Sequence, residues 1–275
     1  MPTTFSDEVY DEDRMRSCIY GLAVGDALGV PYEFRERGTF ECTNMVGGGT
    51  HGQYAGTWSD DTSMALCICS SIKQCDRVVV ADIAYRFHRW LELGDFTCDG
   101  RVFDVGATCK RAISTGVPTT SYDDCGNGSL MRTAPLAMLN ALDFDIVRAV
   151  SAITHAHPVA KWSCVTLCDI LWTVRNSGTP AKHVLMRRYG HIASRPVEAI
   201  KSDGYCEHTL EAAIWCFLNT GSYADCVLAA VNLGDDTDTT AAVAGAIAGV
   251  YYGFGAIPPK WVGQLRGKAV IDQCI

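Results

Sequence analysis

Two rows of small residues at helical spacing constrain this 275-residue chain more than any other feature. Gly21, Gly25 and Gly29 recur every four residues through the apolar run 16–28 and its end. Near the other end of the chain, Ala241, Gly245, Gly249 and Gly253 repeat the interval. Residues four apart share one face of a helix, so each row is a ridge without side chains. Such a ridge lets another backbone come close. Glycine inside a helix otherwise costs about 1 kcal/mol relative to alanine. The second row therefore predicts a central, closely packed helix.

The intervening pattern reads as helix after helix. Apolar residues keep the helical period over 63–72, 80–93, 107–113, 134–142, 146–153, 160–174, 208–218 and 223–231. In the second of these, Ile83, Phe87 and Trp90 form one stripe. Alternating β runs are scarce. The linking segments 47–57, 115–129 and 202–205 are loops rich in glycine, and no composition break divides the chain. The expectation is one all-α domain over residues 1–275, with its core at about 15–265 and function carried by the loops.

Charge and cysteine usage remove several function classes. The net charge of −8 argues against a nucleic-acid or anionic-membrane surface, which needs clustered Lys and Arg. Arg187 and Arg188 read as a solvated helix face. The opening MPTTFSDEVYDEDRM is acidic and lacks the apolar core of a signal peptide. No run approaches the ~18 apolar residues of a spanning helix. The 14 cysteines contain no CxxC pair, so zinc ligation is disfavoured. They read as buried, reduced thiols in a cytoplasmic or nuclear protein that is not secreted.

Two acidic clusters each open an apolar helical run. Ser59, Asp60 and Asp61 stand in TWSDDTSMAL, and Asp235, Asp236 and Asp238 in GDDTDTTAAVAG, interleaved with Thr237, Thr239 and Thr240. Either cluster alone is explained by capping, since Ser, Thr and Asp are favoured caps. A helix N-terminus, however, stabilises an acid by only about 0.3–1 kcal/mol, and acids packed this densely repel. If both clusters face one cavity, a bound cation is the cheapest compensation. Carboxylate and hydroxyl oxygens are hard donors that suit Mg²⁺, Mn²⁺ or Ca²⁺. Six such oxygens would serve two ions sharing a bridging carboxylate, usually ~3.5–4 Å apart. Glu33, after the first glycine row, is a further contributor or simply a solvated loop residue. All-α prenyl-diphosphate enzymes also hold Mg²⁺ between two acidic clusters. They require acids where Met64 and Val243 stand here.

At these residues the sequence resembles the ADP-ribosylglycohydrolase family (the DraG, ADP-ribosylhydrolase and lens J1 crystallin group). The family's Gly-x-Trp-Thr-Asp-Asp-Thr-x-Met is similar to the stretch Gly56 to Met64, and its Gly-Asp-Thr-Asp-Thr to the stretch Asp235 to Thr239. Its Gly-Asp-Ala-Leu-Gly with a following glutamate is similar to the stretch Gly25 to Gly29 with Glu33. FDVGAT from Phe103, GNGSLMRTAPL from Gly126 and THAHP from Thr154 follow in the family's order, so the likeness runs from about residue 18 to 255.

The resemblance implies a compact orthogonal multi-helix fold and a hydrolase acting at C1″ of an ADP-ribosyl group. It implies that Ser59, Asp60, Asp61, Asp236, Asp238 and Thr239 ligate two Mg²⁺ or Mn²⁺ ions, with Glu33, Asp60 and Asp61 at the chemistry. Substrate contacts would come from Glu33, Asp104, the Gly126–Asn127–Gly128–Ser129 loop around the diphosphate, Met131 beside it, and His157. Arg132 would meet phosphate or brace the loop. That loop is also a turn with Asn127 and Gly128 at positive φ, and Asp104 also reads as a cap for the helix from Val105 onward. The partner would be an ADP-ribosylated protein or an ADP-ribose derivative. The linkage (arginine, serine, poly-ADP-ribose or O-acetyl) stays open, with the Phe103–Gly106 element leaning toward the bacterial arginine type. A catalytically silent ADP-ribose binder, as in the crystallin branch, is the rival. Two departures stand out: Ser59 replaces the family's Thr, and Asp235 its Gly.

Overall fold

The computed structural model describes residues 9–178 and 180–275. The first eight residues of the acidic opening segment lie outside the described residues. Among the described residues, twelve α-helices follow in order: α1 (Glu12–Gly29), α2 (Asp60–Cys75), α3 (Val80–Leu93), α4 (Ala107–Thr115), α5 (Phe144–Ser151), α6 (Pro158–Ser177), α7 (Ala181–Ala193), α8 (Cys206–Asn219), α9 (Tyr223–Val231), α10 (Thr237–Tyr252), α11 (Pro259–Gln264) and α12 (Lys268–Cys274). Among the described residues, β pairing is limited to isolated bridges, so the all-α expectation holds.

The two glycine rows meet each other. Along α1 and α10 the contacts run antiparallel: a Cβ on Gly21 would lie 2.3 Å from the Gly245 carbonyl oxygen, and one on Gly25 would lie 2.1 Å from that of Ala241. At the end of the seam, a Cβ on Gly29 would be 2.3 Å from the Asp238 Cα. Helix α10 is buried from Thr237 to Val250, and α1 from Ser17 to Gly29, as expected of central helices. Tyr223 of α9 closes the seam from one side, donating its hydroxyl to the Gly21 carbonyl (2.7 Å). Because the pair is antiparallel, the C-terminus of α1 arrives at the N-terminus of α10. Glu33 is thereby delivered beside the second acidic cluster.

The other helices wrap this pair. Helix α3 turns Ile83, Phe87 and Trp90 inward, the stripe its sequence carries. The run 134–142 is not one helix. It makes a 3₁₀ segment, Ala134–Met138, with Pro135 at its start, and Leu139 is extended. Asp143 then accepts N–H bonds from Asp145 and Ile146 and starts α5 afresh. The apolar run continuing to Ile257 breaks at Gly253, whose φ of 83° ends α10. Helix α7 has only a weak stripe, burying Ala181, Leu185 and Ile192. The short α12 packs on α2. All 14 cysteines are free, most of them buried. No helix among the described residues is long and apolar enough to cross a membrane.

Candidate metal centre and substrate cleft

The first acidic cluster does not cap its own helix with Asp60 or Asp61. Asp26, an acid within the apolar α1, does most of that work. Its carboxylate accepts the backbone N–H of Ser59 (2.9 Å) and Thr62 (3.1 Å) and the Thr62 hydroxyl (2.5 Å). Ser59, the N-cap, accepts the Asp61 N–H and donates its hydroxyl to Asp61 Oδ2 (2.9 Å). With the first-turn donors satisfied from behind, Asp60 is left facing the cleft and Asp61 Oδ1 is buried without a partner. Burial raises Asp26 to about 7 despite those bonds.

The second cluster is held in the same manner. Thr237 donates its hydroxyl to the Gly29 carbonyl (2.8 Å), and the Asp236 N–H donates to Ser202 (2.9 Å). Asn127 donates its amide to Asp236 Oδ2 (2.8 Å), and the Thr239 N–H donates to Asp238 Oδ1 (2.9 Å). Asp236 Oδ1 and Asp238 Oδ2 remain buried and unpartnered. One bond joins the clusters directly, from the Thr239 hydroxyl to Asp61 Oδ2 (3.4 Å).

Glu33 completes the group. It is buried rather than solvated, and its carboxylate, with those of Asp236 and Asp238, offers oxygens within 4.8 Å of one another. Burial first, then the charges of Asp104, Asp236 and Asp61, push Glu33 up to about 10. Burial also raises Asp60, Asp61 and Asp238 well above the carboxylate range, helped respectively by the charges of Asp104, Asp26 and Glu33. Orphaned, hard oxygen atoms that raise one another's proton affinity are the donor set a divalent cation fits. His51 was not anticipated. Its Nε2 contacts Glu33 Oε2 and lies 3.8 Å from Asp104 Oδ1, and its ring sits between Phe34 and Phe103. A lone histidine in a Gly-rich loop carries no periodic signal, so only folding places it.

A cleft of about 590 Å³ opens from these acids, within the usual range for a small-molecule site. Its walls include Glu33, Asp60, Asp104, Asp236 and Thr239 on one side of the sequence map, and Gly126, Asn127, Gly128 and Met131 on another. Ser59, Asp61 and Asp238 sit behind that surface. Asp104 is left-handed (φ 55°) and does not cap α4, whose N-cap is Gly106. The 126–129 loop departs from the expected turn: neither Asn127 nor Gly128 has positive φ, and residues Asn127–Ser129 form a 3₁₀ turn. The Asn127 N–H donates to the Gly204 carbonyl (2.9 Å), and the 3₁₀ turn places Gly126, Asn127 and Gly128 on the cleft wall. A Cβ on Gly128 would come within 2.6 Å of Cys109 Sγ, so the wall there is bare backbone.

Three expected substrate contacts lie elsewhere. Arg132 is wholly buried beneath the loop, where it donates to the Gly128 carbonyl (2.9 Å) and the Thr154 hydroxyl (2.8 Å) and lies over the Phe87 ring. The brace is its observed role. Ser129 turns its hydroxyl inward to Ser151 and Cys164. His157 caps α6 through Nδ1, while His155 lines the cleft. The ring of His157 packs against Tyr122, which neighbours Tyr205, an exposed aromatic rim beside Gly126.

Besides Asp104, the non-glycine residues Phe34 (φ 64°) and Asp235 (φ 56°) adopt left-handed backbone beside the acids. They clamp each other: the Phe34 N–H donates to the Asp235 carbonyl (2.7 Å) and the Asp235 N–H to that of Arg35 (2.9 Å). Such backbone costs about 1–2 kcal/mol per residue.

The comparisons with known proteins agree with this geometry. The family model for ADP-ribosylglycohydrolase matches residues 7–275. The chain is 34% identical to an ADP-ribosylarginine hydrolase, Tri1, of Serratia proteamaculans, over 92% of this chain and 75% of that protein. It is 33% identical to the ADP-ribosyl-[dinitrogen reductase] glycohydrolase of Rhodospirillum rubrum, over 93% and 91%. A solved structure described as an ADP-ribosylglycohydrolase-related protein complex superposes with a TM-score of 0.79 at 31% identity, covering 96% of each chain. By motif order, fold and acid geometry, the chain belongs to the ADP-ribosylglycohydrolase family of enzymes.

Proposed function

We propose that this protein hydrolyses the bond between C1″ of ADP-ribose and an arginine side chain of a modified protein. Two divalent cations, Mg²⁺ or Mn²⁺, would be held by Ser59, Asp60, Asp61, Asp236, Asp238 and Thr239. The observation that carries the reading is the convergence of two buried acidic helix starts. Their orphaned oxygens, Asp61 Oδ1, Asp236 Oδ1 and Asp238 Oδ2, flank a cleft sized for a nucleotide sugar. The names of the Serratia and Rhodospirillum relatives support the arginine linkage and the protein substrate.

The chain's own residues divide the remaining work. The backbone of Gly126 and Gly128 on the cleft wall would face the diphosphate, where small residues let phosphate oxygens approach closely. Asn127 ties that loop to Asp236, so phosphate binding and the acid centre share one register. Tyr122 and Tyr205 offer a stacking face for the base. Bound there, the cations would supply Lewis acidity toward a water and the ribose oxygens. Glu33, whose proton affinity burial raises, takes the water's proton with His51 Nε2 at its other oxygen. The C1″–N bond breaks as the C1″–O bond forms, through oxocarbenium character on the ribose. The proton returns to the guanidine, releasing unmodified arginine and ADP-ribose.

The test is release of ADP-ribose from an arginine-ADP-ribosylated protein, with Mg²⁺, with Mn²⁺ and with chelator. Release that requires either cation is expected. Binding of ADP-ribose with no release under any condition would turn the assignment to a silent binder.

A further inference from the structure

We infer that Phe34 and Asp235 form a clamp for the cationic side chain that leaves C1″, and so act as specificity-determining residues. The inference rests on the arginine-linked reading above and goes beyond it by assigning the leaving-group side of the cleft. Six carboxylates line the cleft, those of Glu33, Asp60, Asp104, Asp203, Asp235 and Asp236, and no lysine or arginine does. If the two aspartate clusters serve cations, the acids left over still make this mouth attractive to a positive group and repellent to a further anion.

Among those acids Asp235 is distinctive. Asp104 approaches His51, and Asp203 accepts from His208 at 2.7 Å. Asp235 is exposed, and among the described residues its hydrogen bonds are made by its backbone, so its carboxylate is free to meet a ligand. It directly precedes Asp236, as Phe34 directly follows Glu33, so both stand one residue from the acid centre. Both line the cleft, where a group attached to C1″ would lie beside them. The backbone clamp between Phe34 and Asp235 needs no side chain at either position, and left-handed backbone favours glycine at both. Yet one position carries an aromatic ring, 67% exposed, and the other a carboxylate, both on the cleft wall. A planar cation stacked on a ring and paired with a carboxylate is how a guanidinium is recognised.

The experiment uses peptides ADP-ribosylated on arginine or on serine, and four proteins: wild type, Asp235→Asn, Asp235→Gly and Phe34→Ala. Asparagine tolerates left-handed backbone and glycine relieves it, so neither Asp235 variant is threatened in folding. KM for the arginine-linked peptide is expected to rise about five-fold in each Asp235 variant and about three-fold in Phe34→Ala, the scale of one partly exposed ion pair or cation–π contact. The dissociation constant of free ADP-ribose is expected to move less than two-fold. The KM of Asp235→Asn should also lose salt dependence. An unchanged KM overturns the clamp, as does a KM that rises in step with the ADP-ribose dissociation constant. Wild-type release from the serine-linked peptide alone overturns the linkage reading itself, before any variant is compared.

Discussion

The seam between α1 and α10 and the cleft at its end are made of opposite materials, although the same two helices build both. Along the seam, glycine and alanine leave backbone against backbone, with no room for a single added carbon at Gly21 or Gly25. At its end, Glu33, Asp236 and Asp238 bring carboxylate oxygens within 4.8 Å of one another, and Asp61, Asp236 and Asp238 each keep a buried oxygen without a partner. The seam is stabilised by contact and the cleft is destabilised by repulsion. A rigid close-packed pair is what can hold carboxylates near one another against that repulsion. The contrast predicts that substitutions in the two regions trade stability and activity in opposite senses.

The largest effect on stability should come from the seam. Gly25→Ala places a Cβ 2.1 Å from the Ala241 carbonyl oxygen, and we expect a loss of about 3 kcal/mol in denaturant unfolding. A variant as stable as wild type would break the picture of a close-packed seam. Next, Asp60→Asn or Asp238→Asn should lower turnover at least about 100-fold. The same variants should raise metal-free stability by about 1 kcal/mol, because a buried like charge is removed. Wild-type turnover in both variants would sink the ligand assignment, and a fall in their metal-free stability would sink the repulsion argument.

Cation binding sharpens the contrast from the other side. At about thirty times its dissociation constant, Mg²⁺ should stabilise the protein by about 2 kcal/mol, read as a shift in thermal melting against chelator. The pH dependence has a definite sign. Glu33 is raised in the fold to about 10 from an ordinary 4.5, so the metal-free protein has this group's full contribution below the ordinary value and loses it as pH rises toward 10. The Mg²⁺ shift should therefore be larger at pH 8 than at pH 6. A shift independent of pH would separate the cations from these acids.

The smallest effect lies under the 126–129 loop. Burial first, and the Arg132 charge second, lower His155 from 6.5 to about 3. Its contribution is complete above the ordinary value and is lost as pH falls from about 6.5 toward 3, which amounts to under about 1 kcal/mol between pH 7 and pH 6. His155→Gln should flatten that part of the stability profile. Equal slopes in the variant and in wild type would remove His155 as the cause.

Much of this was legible before folding because local patterns are physical. The glycine rows required a close neighbour, and each supplied the other. The acidic helix starts pointed to hard oxygen donors through residue type and spacing alone. What was not legible involved residues with no periodic signature. Asp26 reads as one more residue of a buried helix, yet it caps α2 and so leaves Asp60 and Asp61 uncommitted. His51 and Phe34 gain meaning only when loops far apart in sequence close over Glu33. His155 and His157 are two residues apart, and the turn between them decides which one faces the cleft.

By itself, then, the sequence determined the helical class, two helix faces made for close packing and the donor type of the candidate centre, because helical periodicity and the hardness of oxygen donors act over a few residues. The tertiary structure alone decided which carboxylates keep free oxygens. It also buried Arg132 as a brace and set Phe34 against Asp235. Those outcomes depend on burial and on hydrogen bonds between segments as much as 200 residues apart, such as that joining Phe34 to Asp235. A partner that distant leaves no mark on the local pattern that a sequence displays.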